Sequence, residues 1–415
     1  MPTTNAKPFL RPLFLAACLL AGAEGLRAQD AGPILRSPDP IGDYMAAIDE
    51  AEGFDSAYSV QLADLYLGLG GELVRAGKIE EARDAYFSGA QIVRVNFGPD
   101  APEQVNYLLA LAELDLIETN WEDADDLMHS AFRIFARGDG SGADGQLASL
   151  QQLLDWYRDR YPDMPPTEQF RALLRSEQIT REMAGIEEGN SGLQTTQTAA
   201  LYRQVGHLNY RVAEYLAQLL YAQNRSGTTS MTLPEVARWD GQRGAINPPY
   251  DMGVEAYRKA AESVAANPQA TPQQKAEALA QLADWHLTFG KVGDARRTYG
   301  EAWQLLASTA ELEDAQFYFG TPTPVRFLNQ TPLKPGTQEA MPKEGLDVTM
   351  TVTKTGSVLN VRVANSADEL PNSQVRAIKS ALKRLRFRPR VDQGQTAETR
   401  EFLWRVAVES PAETT

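Results

Sequence analysis

The stretch Leu279-Ala280-Gln281-Leu282-Ala283-Asp284-Trp285-His286-Leu287-Thr288-Phe289-Gly290, continued by Lys291-Val292-Gly293-Asp294-Ala295-Arg296-Arg297-Thr298-Tyr299-Gly300-Glu301-Ala302, decides the architecture. Leu279, Leu282, Ala283 and His286 recur at three- and four-residue spacing, which is one stripe of a helix. Ala295, Tyr299 and Ala302 repeat that spacing beyond Gly290. Small residues stand where two antiparallel helices must approach closely, and large ones fill the space between. The pattern occurs again in Tyr66-x-x-Leu69-Gly70-x-x-Leu73-x-x-x-Gly77-x-x-x-x-Ala82-x-x-x-Tyr86. A further copy reads Leu108-x-x-Leu111-Ala112, then Trp121-x-x-Ala124-x-x-x-Met128-x-x-Ala131.

This pattern resembles the tetratricopeptide repeat. Ala82 and Ala124 lie 42 residues apart, against roughly 34 for the standard repeat; the excess falls at 96–102, where Gly98, Pro99 and Pro102 lengthen a turn. Register is lost between the second and third copies, although 201–224 and 254–266 read as further helices. The expectation is an irregular α-solenoid over 57–319, whose concave face binds an extended peptide or a helix. Groove-facing positions of the first helices would include Asp64, Asn106, Glu113, Glu277 and Asp284. A Lys and Arg clamp for a terminal carboxylate is missing, so a basic or neutral segment is the expected ligand.

Behind the helices, in Leu346-Asp347-Val348-Thr349-Met350-Thr351-Val352-Thr353, apolar and polar residues alternate as in a half-buried strand. Lys354-Thr355-Gly356-Ser357 forms a turn, with Gly356 free to take positive φ. Val358-Leu359-Asn360-Val361-Arg362-Val363 returns as the hairpin mate. Val375, Ile378, Leu382 and Leu385 then mark a covering helix, and Phe402, Trp404, Val406 and Val408 a closing strand. The Thr355-Gly356 turn, Val361-Arg362-Val363, the helix from Arg376 that ends in Phe387-Arg388-Pro389, and the final strand resemble the TonB C-terminal domain. The likeness covers 344–409. It implies a periplasmic α+β (β-β-α-β) domain that meets envelope partners, in the energy transducer by pairing with a short segment of an outer-membrane transporter. No Tyr-Pro motif precedes the first strand, so the resemblance bears on fold and compartment more than on transduction. The fold class expected is thus mainly α, a TPR-like solenoid followed by a small α+β domain.

The chain begins with Lys7 and Arg11, an apolar run from Pro12 to Ala23, and Ala-Glu-Gly-Leu-Arg-Ala before Gln29. This is the plan of a secretory signal, too short to span a bilayer permanently. Residues 1–28 are read as the signal, cleaved after Ala28 or else Ala23, which places the chain in the periplasm with no transmembrane helix after cleavage. Leu15-Ala16-Ala17-Cys18 offers a lipobox as the minor alternative, anchoring Cys18 to the outer membrane. Residues 29–56 read as loosely ordered, 225–250 as a Gly- and Pro-rich excursion, and 320–343, with five prolines, as a linker. Charge is divided: residues 29–340 hold 25 Lys and Arg against 45 Asp and Glu, and residues 341–409 hold 12 against 8. An acidic body and a basic tail steer ligands of opposite sign.

Familiar catalytic sets are missing. Cys18 is the single cysteine, and His129, His207 and His286 form no close pair. Gly140-x-Gly142-x-x-Gly145 lacks the strand a dinucleotide site requires, and Asp139, Ser141 and Asp144 lack the closing acid of a calcium loop. No cofactor or metal is expected. Nucleic acid is not an expected partner, since the basic run around Lys379, Lys383 and Arg386 carries no stacking aromatics but Phe387. The expectation is a non-enzymatic adaptor for envelope proteins or peptides. Its tail would use Lys379, Lys383 and Arg386 or the closing strand with Phe402 and Trp404. An accessory of TonB-dependent transport and an envelope-polymer hydrolase are the alternatives.

Overall fold

A computed structural model describes residues 38–54, 58–137, 142–223, 233, 248–309, 312–325, 346–363 and 372–406. The expected signal with Cys18, most of the expected 225–250 excursion and residues 326–343 of the expected linker lie outside these. The described residues fall into two compact units, divided between residues 118 and 119. The single helical domain expected over 57–319 is therefore divided, and the second repeat copy places its two helices in different units.

Unit one holds α1 (Pro40–Phe54), α2 (Val60–Arg75), α3 (Ile79–Phe97) and α4 (Val105–Ile117). Residues 40–54, expected to be loosely ordered, are helical for a local reason. The Asp39 carboxylate accepts the Gly42 N–H at 3.1 Å, which caps the first turn, and Pro40 starts it with a preset φ. Ile48 is buried, and the Tyr44 ring lies where a side chain on Gly68 would stand, 2.6 Å from the position of its Cβ. The α2–α3 hairpin turns at Gly77, whose φ is +73°. Ala82 is fully buried, and a Cβ on Gly70 would lie 2.3 Å from the Tyr86 ring. Small-against-large packing read from the sequence is thus the packing observed.

Unit two begins with α5 (Trp121–Arg137), α6 (Gly142–Arg160), α7 (Pro166–Ser191) and α8 (Thr196–Gln223). It continues with α9 (Pro249–Ala266), α10 (Pro272–Thr288), α11 (Val292–Thr309) and α12 (Leu312–Phe319). At 26 and 28 residues, α7 and α8 outrun a standard repeat helix, which explains the lost register. Leu173, Val212, Leu216, Tyr257, Trp285 and Phe289 share a core that joins α7 to α10. Leu233 packs against it, so one residue of the expected excursion belongs to the core. Helix α10 starts at a full capping box, Thr271 with Gln274, and the hairpin to α11 turns at Gly290 with φ +72°. Ala283, Ala295, Tyr299 and Ala302 are fully buried inside it.

The C-terminal module contains β2 (Leu346–Val352), β3 (Val358–Val363), α13 (Asn372–Arg384) and β7 (Thr399–Val406). A short strand β1 (Thr323–Pro324) precedes it, and β4 (Phe387–Arg388), β5 (Arg390–Asp392) and β6 (Gln395–Ala397) stand between α13 and β7. The three-stranded sheet runs β3-β2-β7, all antiparallel, so the expected β-β-α-β core is present. Two features are additional. Strand β1 pairs with β4, and β5 pairs with β6 across Gln393 and Gly394, both with positive φ. That backbone is the one a two-residue hairpin requires. Residues 320–325, expected as linker, therefore return to the module and pair with it. Both outer strands are bulged beside Met350, at Asn360 and Glu401, whose φ values are +52° and +51°.

Gly70 and Gly71 are adjacent in α2 but differ in surroundings, since nothing lies within 4 Å of a Cβ at Gly71. We expect Gly70→Ala to lower stability by about 1–3 kcal/mol through overpacking against Tyr86. Gly71→Ala should raise it by up to about 1 kcal/mol through helix propensity. Urea unfolding of the two variants checks the contrast.

Candidate functional site

The described residues converge most strongly where the module meets the last helical hairpin. In β4 successive side chains point to opposite sides. Phe387 turns into the module and packs with Val348, Met350, Val352, Val358 and Leu382. Arg388 turns the other way and is buried against α10. Its Nε and Nη2 donate to the two oxygens of Asp284 at 3.1 and 2.7 Å. Nη1 and Nη2 donate to the two oxygens of Glu277 at 2.8 and 3.2 Å. Tyr299 of α11 donates to Asp284 at 2.5 Å, and Tyr318 of α12 to Glu277 at 2.6 Å. Gln281 donates to Glu277 at 3.3 Å.

One guanidinium thus serves two carboxylates seven residues, or about two helical turns, apart on α10. Burial opposes Arg388's charge, but Asp284 and Glu277 outweigh it and raise its pKa well above the ordinary arginine value. For Glu277 burial pushes upward, and the charge and hydrogen bonds of Arg388, with Tyr318 and Gln281, hold the carboxyl below its usual range. Asp284 is raised, chiefly by burial and also by Glu277, despite Arg388. Burial holds the guanidinium of Arg203 on α8 below its ordinary value, and Tyr257 and then Glu277 partly restore it.

Backbone contacts complete the junction. Val325 N–H donates to Arg386 O at 2.9 Å, and Phe387 N–H to Gly356 O at 3.0 Å. Gly356 has φ +70° and no room for a side chain, since its Cβ would lie 2.2 Å from Phe387 O. The β5–β6 hairpin lays Gly394 O 2.9 Å from where a Cβ of Gly300 on α11 would be, and Val391 enters the core formed by Ala276, Leu287, Tyr299 and Leu306.

The positions expected to bind partners separate into three groups. Asp64 and Asn106 are exposed and Glu113 is half-buried, all in unit one. Glu277 and Asp284, expected to face a groove, are occupied by Arg388 of the same chain. Phe402 and Trp404 are half-buried, with ring centroids 6.0 and 5.7 Å from that of Phe387. They belong to the module's core because they share the inward phase of β7, and its outward side shows Leu403 instead. Lys383 and Arg386 are exposed and Lys379 half-buried; Arg386 donates to Ser357 at 2.9 Å. The sequence reading missed Arg388 as the anchor. The signal was present in Phe387-Arg388, an apolar–charged alternation on a strand.

Among the described residues no group of three His, Cys, Asp or Glu could hold a metal ion, and no helix is long and apolar enough to cross a membrane. A shallow cleft of about 330 Å³ lies beside the start of α5, lined by Asn120, Glu122, Asp123, Thr167 and Glu168 among others, with no histidine or lysine in its wall.

No family model and no curated protein matches the chain. Among solved structures, BtubC (BKLC) from P. vanneervenii aligns with 65% of this chain and 90% of its own at 14% identity and a TM-score of 0.28. A putative kinesin light chain of Podosopora anserina with nearly identical TPR-like repeats aligns over 60% and 98%, at 12% identity and TM-score 0.28. Pseudomonas Aeruginosa pilF aligns over 62% and 97%, at 16% identity and TM-score 0.19. At such identities and scores these neighbours say nothing about activity. The repeat character rests on the chain's own hairpin packing.

Replacing Arg388 by Met would leave two carboxylates without their counter-charge, and we expect a loss of about 3–5 kcal/mol. Adding Glu277→Gln and Asp284→Asn should recover part of it, as guanidinium unfolding of the single and triple variants would register. A second expectation concerns His207, whose pKa burial and then Arg203 lower. The unfolded chain takes up this proton near pH 6.5 and the folded chain only at lower pH, so its contribution is complete above about 6.5 and lost as pH falls. Between pH 7 and 5, His207→Gln should lose less stability than the unsubstituted protein in thermal melts.

Proposed function

We propose that this protein is a non-enzymatic adaptor of the cell envelope, in which a TPR-like helical repeat and a TonB C-terminal-like module supply protein-binding surfaces. The supporting observation is the sheet order β3-β2-β7. Strand β7 lies at one edge of the sheet, and Leu403 on it is half exposed. Such an edge accepts a partner strand, main-chain bonds giving affinity and alternate side chains giving selectivity. The bulge at Glu401 confines the regular part of that edge to 402–406. The envelope compartment rests on the export pattern at the N-terminus and on the family resemblance of the tail.

The Arg388 junction fastens the C-terminal module to the last helical hairpin. Module and last hairpin share a core through Val391 and an ion-pair cluster through Arg388. A partner seated on β7 is therefore held at a fixed attitude to α10 and α11. Deleting residues 341–415 would strip the hairpin of its counter-charge and is a poor test of binding. A photo-crosslinking side chain at Leu403, compared with one at exposed Glu301 on α11, leaves the fold intact. We expect discrete protein adducts in intact cells at position 403 and none at 301. Equal labelling at both sites, or none at 403, would count against the adaptor reading.

A further inference from the structure

Helix α13 carries Arg376, Lys379, Lys383 and Arg384 and no acidic residue. Its apolar side is spent inside the module, where Ile378 and Leu382 pack on the sheet. At 100° per residue, Arg376, Lys379 and Lys383 fall within an arc of about 60° on one flank, spread over about 10 Å of helix. Arg376 and Lys383 are exposed, and Lys379 is half-buried. None of the three forms an ion pair with a described residue. A helix carrying like charges at this spacing stabilises itself poorly. Its arrangement suits something outside the module.

We propose that the Arg376–Lys379–Lys383 flank of α13 is a docking surface for an acidic helical segment of a partner protein. This deepens the adaptor reading and rests on it. The spacing i, i+3, i+7 is the spacing at which carboxylates align on the face of a second helix, so three pairs form side by side. A bilayer is a worse fit, because the apolar stripe that would enter it is already buried in the module. A phosphate group needs convergent donors, and these cations are strung along about 10 Å of one helix flank. The rest of the chain sharpens the choice of site. Residues 29–340 carry 25 basic against 45 acidic residues, so an acidic ligand is repelled by the helical body and drawn to the module, which carries 12 against 8. Because the Arg388 junction fixes the module on α10, the flank is presented in one orientation.

The test uses the full chain and a fluorescent Ala/Gln-based helical peptide with Glu at i, i+3 and i+7, followed by anisotropy. Saturable binding is expected, weakening roughly tenfold between 50 and 300 mM NaCl as exposed charge pairs are screened. Arg376→Gln, Lys379→Gln and Lys383→Gln together should weaken it roughly tenfold, three surface pairs of about 0.5 kcal/mol each. The combination Lys275→Gln, Arg296→Gln and Arg297→Gln changes net charge equally on the helical body and should leave binding unaltered. Equal losses in both triple variants would overturn the assignment, as would binding to phosphatidylglycerol vesicles or polyphosphate in preference to the peptide. If the peptide fails to bind while crosslinks at Leu403 persist, this assignment alone falls. If the crosslinks fail too, the adaptor reading falls with it.

Discussion

A guanidinium buried between two carboxylates holds the second unit together. Arg388 shares its N–H groups between Glu277 and Asp284, while its neighbour Phe387 seals the module's own core. Such clusters contribute little net stability compared with an apolar replacement, because desolvation consumes most of the Coulomb energy. Their effect is on geometry, since a module displaced by one residue would bury Glu277 and Asp284 unpaired. Everything around the cluster follows from that constraint: the return of Thr323–Pro324 onto β4, the closeness of Gly300 to Gly394, and the insertion of Val391 among the helices.

The same device recurs at smaller scale within each unit. In unit one Arg83 of α3 binds Asp115 at 2.8 Å and Glu118 at 2.7 Å. In unit two Arg175 of α7 grips Asp125 of α5, which also accepts from Tyr157 of α6 at 2.7 Å, and Arg175 reaches His129 at 3.0 Å. Small residues set how near neighbouring helices can approach. Arginine–carboxylate pairs then fix their rotation, which apolar packing alone leaves soft.

The hairpins and the module's core strands were legible because each depends on local periodicity. Gly70 opposite Tyr86, Gly77 and Gly290 at turns, and the phase of Leu346–Val352 are all written within fewer than twenty residues. The Arg388 cluster was not legible, because its partners are 104 and 111 residues away and nothing local distinguishes a groove-facing acid from one awaiting its own chain's arginine. For the same reason Glu277 and Asp284 read as ligand positions. Helix α1 was missed within the stretch 29–56 read as loosely ordered, although Asp39, Pro40 and Gly42 together make a cap and a first turn. The β5–β6 hairpin hid in a short polar stretch whose Gln393-Gly394 pair was its one signal.

Sequence distance also orders the events of folding. The α10–α11 hairpin has its apolar face and its turn as soon as residue 309 is made, yet it carries two inward carboxylates and lacks Val391 until the chain has run some eighty residues further. Contacts of such long separation close late, because loop entropy is lost before they return anything. The last repeat is therefore an unfinished core while those eighty residues are made, and a chain that stops short of Arg388 fails not at its frayed end but in the last hairpin of its helical body.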